Sequence, residues 1–192
     1  MKKLAIFDLD GTLLYTLEDL HASTNFALES EGLPARSLDE VRCFVGNGIR
    51  KLIERAVPDG CAPDVTDRVF AAFKRHYAEN CMVLTRPYPG IPEMLDALKA
   101  RGWKLGVVSN KADEPVKALI AHYFPGVFDS VVGERENVRK KPAPDSVFET
   151  VGSLGCDIGQ AVYIGDSDVD GQTAANAGCD CILVAWGFRG RE

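Results

Sequence analysis

Two aspartates one residue apart, Asp8 and Asp10, close an apolar run and are followed at once by glycine and threonine in KLAIFDLDGT, Lys3 to Thr12. Side chains i and i+2 share a face of a strand, so a strand over Lys3–Leu9 predicts that both carboxylates project together from its end. Carboxylates held that close repel one another unless a cation or a proton lies between them. Gly11 lets the chain turn sharply, and the Thr12 hydroxyl can donate back into the turn or to a bound oxyanion. The cluster therefore predicts a hard-cation site with a spare carboxylate nucleophile. An ordinary acidic turn uses the same residue types, so the rest of the chain has to decide between the two.

Further polar residues stand at the ends of other apolar runs: Ser109 and Asn110, Lys141, Asp166 and Asp170. Together they make a kit for phosphoryl transfer. Carboxylate oxygens suit Mg²⁺, which keeps several waters and takes one or two protein carboxylates plus a substrate phosphate; Asp8 and Asp166 can supply them. Attack by the Asp8 carboxylate would split hydrolysis into two displacements through an aspartyl-phosphate. Asp10 stands where it can protonate the leaving oxygen and later deprotonate the attacking water. The Ser109 hydroxyl and the Asn110 backbone N–H can hold the phosphoryl oxygens, and the Lys141 ammonium can hold the equatorial charge together with the nucleophile.

Each of these residues also has an ordinary explanation. Serine and asparagine are common turn residues, and Lys140–Lys141 before Pro142 reads as a solvated loop. GDSDVDG opens like a calcium loop, but Ala177 occupies the twelfth position counted from Asp166, where an EF-hand needs a bidentate glutamate. Their order on separate strand ends favours phosphoryl transfer.

The elements that must carry these residues can be read from hydrophobic periodicity. From Pro87 onward, helix and strand alternate. Helices are expected over Ile91–Arg101, Asp113–His122, Asp145–Leu154 and Val169–Ala177, and strands over Trp103–Ser109, Ser130–Val132, Ala161–Ile164 and Cys181–Ala185. Continuous apolar strands such as LGVVS and AVYIG, alternating with helices, predict an α/β fold with a Rossmann-like parallel sheet covered on both faces, and such sheets bind ligands at the carboxyl ends of their strands. Between Thr16 and Arg86 the pattern is helical throughout, which predicts an inserted α-helical domain. Within it Leu17, Leu20, Ala27 and Leu28 form an apolar stripe that stops at Gly32, and Asn47–Val57 and Asp64–Asn80 give two more helices. The expected division is a core of residues 1–15 and 87–192 with a helical cap of 16–86.

With 192 residues, of which 46% are hydrophobic, the chain can bury one good core and a small second one. A formal charge of −6 argues against non-specific nucleic-acid binding, which needs a basic surface. No apolar run reaches the roughly 18 residues of a membrane span, and no charged-then-apolar leader opens the chain. The expectation is a cytoplasmic protein, monomer or homodimer, whose partner is a small phosphorylated metabolite rather than nucleic acid or membrane. Six cysteines, Cys43, Cys61, Cys81, Cys156, Cys179 and Cys181, are scattered without a Cys-x-x-Cys pair and are expected to be reduced. Cys179 and Cys181 would share a strand face, but nothing else in the sequence completes four zinc ligands.

With these motifs in place the chain resembles the haloacid dehalogenase superfamily, and within it the phosphoglycolate phosphatase group, over nearly its whole length. DLDGT matches the first superfamily motif, Ser109 the second, Lys141 in KKPAP the third, and GDSDVD with Asp166 and Asp170 the fourth. The resemblance implies that Asp8 is the nucleophile, that Asp10 is the acid/base and a metal ligand through its carbonyl, and that Asp166 is a Mg²⁺ ligand. Asp170 would be a metal-site residue or its supporting partner, while Asp168 stands where the superfamily varies and is expected at the surface. The helical insert is similar to the small cap domain of the group. FVGNGIRKLIERAV resembles its substrate-facing segment, which makes Asn47, Gly48, Arg50 and Lys51 candidate substrate contacts; Arg50 and Lys51 read equally well as the solvated face of an amphipathic helix. Tyr15 stands where the group usually has aspartate. The sequence stops at Glu192, soon after GFRG, where relatives commonly add a strand and a helix, so an altered sheet edge is expected there.

The activity implied is Mg²⁺-dependent hydrolysis of a small phosphomonoester, with 2-phosphoglycolate as the named substrate. A phosphosugar mutase like β-phosphoglucomutase would use the same four motifs. A dehalogenase is disfavoured because carbon–halogen cleavage needs no second acid, and Asp10 is present. A phosphate-switched receiver module also uses an acidic pair, Mg²⁺ and a lysine, but its phosphorylated aspartate lies on a middle strand of a smaller chain without an insert.

Overall fold

The computed structural model describes residues 2–189. These divide into two compact units, one of residues 2–15 and 87–189 and the other of residues 16–86. Among the described residues no helix is long and apolar enough to cross a membrane.

The first unit contains β1 (Leu4–Phe7) and the two-residue β2 (Leu14–Tyr15). The second supplies α1 (Leu17–Ser30), α2 (Leu38–Phe44), α3 (Ile49–Ala56) and α4 (Pro63–Asn80). After the short β3 (Arg86–Pro87), the first unit resumes with α5 (Ile91–Ala100), β4 (Lys104–Ala112), α6 (Asp113–Tyr123), β5 (Ser130–Glu134) and α7 (Asp145–Ser153). It continues with β6 (Ala161–Gly165), α8 (Asp168–Ala177) and β7 (Asp180–Leu183).

The main sheet has the order β5-β4-β1-β6-β7, and all its pairings are parallel. β1 is central because LAIF has no polar face to offer water, and all four of its residues are buried. Phe7 lies beside Val107 on β4 and Ile164 on β6, so β1 and β6 end within a residue of one level while β4 runs on to Ala112. Successive strands go to one side of β1 and then, with β6, to the other, which makes the end of β1 the place where strand order reverses and a crevice opens.

The helices lie within a few residues of their expected positions, and several differences have physical causes. β1 stops at Phe7 rather than Leu9, because the Asp10 to Leu14 turn takes over the backbone; the Gly11 N–H donates to the Leu14 carbonyl at 2.9 Å. β4 runs on to Ala112, so Ser109 and Asn110 lie inside its last turn of strand rather than after it, in a stretch where the register with β5 is irregular. Helix α2 is absent from the periodicity reading, since seven residues are too few to show a clear apolar repeat. Its start is nonetheless written in the sequence: Ser37 accepts from the Glu40 N–H at 3.2 Å, while the Glu40 carboxylate accepts from the Ser37 N–H at 2.7 Å. The stripe Leu17, Leu20, Ala27 and Leu28 is buried as expected. Coverage of the sheet on both faces fails at one edge, where every residue of β7 is exposed. The chain end at Glu192, for which an altered edge was expected, lies outside the described residues.

Candidate active site

The site is built entirely on the first unit, from the ends of β1, β4 and β6 and the loop that carries Lys141. Asp8 follows β1 directly, and its N–H donates to the Ile164 carbonyl at 2.8 Å, extending the pairing with β6 by one residue. That bond fixes the backbone from which the carboxylate projects. Lys141 Nζ donates to Asp8 Oδ1 at 2.6 Å and to Asp170 Oδ1 at 2.7 Å, with all three side chains buried.

The Lys141 loop is held by Asn110. Its side-chain amide donates to the Lys141 carbonyl at 3.1 Å, and its Oδ1 accepts from the Lys141 N–H at 2.8 Å. This pair of bonds gives the Asn110 side chain a task that the sequence reading, which considered only its N–H, did not foresee. Ser109 is buried, and its Oγ accepts from the Lys111 N–H at 3.2 Å. Thr12 is fully buried, with no hydrogen-bond partner for its hydroxyl among the described residues.

Asp170 is the third residue of α8. Its Oδ2 accepts from the Ser167 N–H and hydroxyl at 3.1 and 2.6 Å, closing a capping box, while Oδ1 accepts from Lys141 and from the Tyr163 hydroxyl at 3.3 Å. Both of its oxygens are thus already engaged. Asp166 directly follows β6; its Oδ2 accepts from the Phe188 N–H at 2.7 Å. Asp168 is exposed, as expected of a variable position.

Asp8, Asp166 and Asp170 each offer a carboxylate oxygen within 4.8 Å of the others. Three buried carboxylates face one ammonium. Burial and the neighbouring Asp170 and Asp166 push the Asp8 carboxyl well up against the pull of Lys141. Burial likewise raises Asp166 to about 6, although the Phe188 N–H works in the opposite direction. Burial opposes the Lys141 charge, but Asp170 and Asp8 outweigh it and hold the ammonium well above the ordinary lysine range. An all-oxygen donor set with surplus buried negative charge fits a hard divalent cation such as Mg²⁺.

Asp10 behaves differently from its neighbour. It is outside the three-carboxylate group, and its carboxylate accepts from Lys111 Nζ at 2.9 and 3.2 Å. The repulsion inferred from the Asp-x-Asp spacing is thus relieved by giving each aspartate its own lysine. Lys111 was missed by the sequence reading; the available signal was a basic residue directly after Ser109–Asn110 at the end of an apolar strand.

The segment Trp186–Phe188 was missed as well. Besides the Phe188 bond to Asp166, Trp186 Nε1 donates to the Thr12 carbonyl at 3.2 Å. A Cβ on Gly187 would collide with Asp166 Cβ and Oδ2. Gly187→Ala is therefore expected to push the Asp166 carboxylate off the Phe188 N–H and raise the Mg²⁺ concentration for half-maximal activity about 10- to 100-fold; a Mg²⁺ titration compared with wild type checks this. Tyr15, the departure from the group pattern, packs edge-on against Tyr88 and Phe188 with ring centroids 6.0 and 6.1 Å apart. An apolar aromatic cluster takes the place of a carboxylate there.

Three of the four candidate substrate residues of the second unit have side-chain partners within that unit. Arg50 bonds Glu54 at 3.0 Å and Asp67 at 2.6 Å, Lys51 bonds Glu54 at 2.7 Å, and the Asn47 side-chain oxygen accepts from Arg55 at 2.8 Å. Gly48, with φ 86°, is the residue from which α3 starts. These ion pairs are largely exposed, and exposed pairs contribute little to stability. None of the six cysteines is in a disulfide.

Comparison with known proteins shows what most of the chain is similar to. A family model described as haloacid dehalogenase-like hydrolase matches residues 5–184. The phosphoglycolate phosphatase of Aquifex aeolicus is 36% identical over 187 residues, covering 97% of this chain and 86% of that protein. That of Cereibacter sphaeroides is 34% identical over 188 residues, with 96% and 85% covered. A crystal structure of a candidate phosphoglycolate phosphatase from Lactobacillus delbrueckii subsp. bulgaricus superposes with a TM-score of 0.93 at 38% identity, covering 99% of this chain and 89% of that one.

Proposed function

The chain belongs to the haloacid dehalogenase-like hydrolases, and we propose that within this family it is a Mg²⁺-dependent phosphatase of small phosphomonoesters, acting on 2-phosphoglycolate through an aspartyl-phosphate at Asp8. The observation that carries this reading is the buried contact of Lys141 with Asp8 at 2.6 Å, inside a group of three carboxylates. An ammonium held against a carboxylate keeps it oriented and offers a fixed charge to an incoming phosphoryl group. The two relatives named above support the choice of substrate.

In this proposal an Asp8 carboxylate oxygen attacks phosphorus, the bridging P–O bond breaks with its electron pair going to the leaving alkoxide, and Asp10 supplies the proton. Water, deprotonated by Asp10, then attacks the aspartyl-phosphate, releasing inorganic phosphate and restoring the Asp8 carboxylate. Ser109 and the Asn110 N–H would bind the transferring oxygens, together with Lys141 and the buried Thr12 hydroxyl. Asp8 and Asp166, with the Asp10 carbonyl, would hold Mg²⁺, and Asp170 would keep Lys141 in place. Bound there, the ion would neutralise phosphate charge and bring substrate and nucleophile together.

Excess EDTA is expected to abolish phosphate release from 2-phosphoglycolate, and added Mg²⁺ to restore it. Activity that persists undiminished in the chelator would remove the metal from the proposal.

A further inference from the structure

Lys111 is a lysine with its side chain 2% exposed, and its Nζ sits on both carboxylate oxygens of Asp10 at 2.9 and 3.2 Å. Burying an ammonium is costly unless it is paired, and the Asp10 carboxylate supplies that pairing in the free enzyme. The same charge can serve a second task when substrate is bound. Its position suggests one: a group that protonates the leaving oxygen must come within hydrogen-bond distance of it, so the Lys111 ammonium stands on the leaving-group side of the site. Lys141, by contrast, stands at the nucleophile. The two lysines thus sit at opposite ends of the bond that breaks.

We propose that Lys111 is a specificity-determining residue that selects phosphomonoesters whose leaving group carries a carboxylate on the carbon next to the bridging oxygen. The inference rests on the phosphatase reading above and deepens it. In such an ester a carboxylate oxygen lies roughly 3 Å from the bridging oxygen by standard bond lengths. An ammonium beside Asp10 is within reach of both, so Lys111 can share its hydrogen bonds between Asp10 and the substrate carboxylate when the bridging oxygen meets Asp10. An alkyl phosphate whose leaving group lacks the carboxylate cannot make that contact, and a site built around a buried polar contact rejects the analogue that lacks it.

The test compares 2-phosphoglycolate with ethyl phosphate, in which a methyl group replaces the carboxylate, for wild type, Lys111→Met and Lys111→Arg, with circular dichroism confirming each fold. Wild type is expected to favour 2-phosphoglycolate in kcat/KM by at least about 100-fold. Lys111→Met is expected to collapse that ratio toward one, with KM for 2-phosphoglycolate taking much of the change, and Lys111→Arg to keep part of it. Equal losses on both esters with the ratio preserved would mean that Lys111 acts only through Asp10 and would overturn the inference. A wild-type enzyme that hydrolyses both esters equally would overturn it without any variant, while leaving the phosphatase reading standing. Hydrolysis of neither ester would bring down both.

Discussion

Asp8→Asn is expected to lower the rate of phosphate release by about 10⁴-fold or more, the scale on which removal of a catalytic nucleophile acts, while the protein stays folded. A carboxamide is a poor nucleophile and a poor ligand for Mg²⁺. Stability should hold or rise. Asp8 is one of three buried carboxylates crowded around a single ammonium, and its own carboxyl is driven well up by burial and by Asp170 and Asp166. The neutral amide relieves that repulsion, and its oxygen can still accept from Lys141. Folded groups with raised carboxyl pKa values bind protons more tightly than the unfolded chain, so they cost stability as pH rises through the folded value. The gain in thermal midpoint for Asp8→Asn over wild type, measured without Mg²⁺, should therefore be larger at pH 7 than at pH 4. Turnover near the wild-type level would take Asp8 out of the mechanism.

Lys141→Met should damage both stability and activity. The substitution keeps much of the length and apolar stem of the side chain but leaves Asp8 and Asp170, which lysine meets at 2.6 and 2.7 Å, without their shared cation. Removing one partner from a buried ion pair strands the other, at a cost of about 3–5 kcal/mol. Urea denaturation without Mg²⁺ should show that loss near pH 7. Acid should recover part of it, because protonation of the stranded carboxyls removes the charge that lysine balanced. Activity should fall even in protein that remains folded, since among the described residues no other ammonium contacts Asp8. A loss of unfolding free energy below about 1 kcal/mol, the range of a surface pair, would show that the contact is solvent-screened and not the buried clamp described here.

The parallel sheet was legible because β1, β4 and β6 are buried on both faces and so are written as unbroken apolar runs. Asp8 and Asp166 were legible for the same reason: each is the first charge after such a run. Lys111, Trp186 and Phe188 were not. Lys111 matters because an irregular strand end turns it onto Asp10, whose place in the sequence is 101 residues away, and no local pattern carries that information. The Phe188 contribution is a backbone N–H, which any residue but proline supplies, so the side chain gives no sign of it. Arg50 and Lys51 show the opposite case. Their residue types suited substrate binding, but acidic residues at helical spacing and on α4 engage them.

The most direct measurement is a Mg²⁺-dependent assay of the purified protein against 2-phosphoglycolate, hexose 1-phosphates and pyrophosphate, following phosphate release and sugar isomerisation together. The account predicts fast and selective phosphate release from 2-phosphoglycolate. Isomerisation of a hexose phosphate without net phosphate release would contradict it, and so would silence on 2-phosphoglycolate.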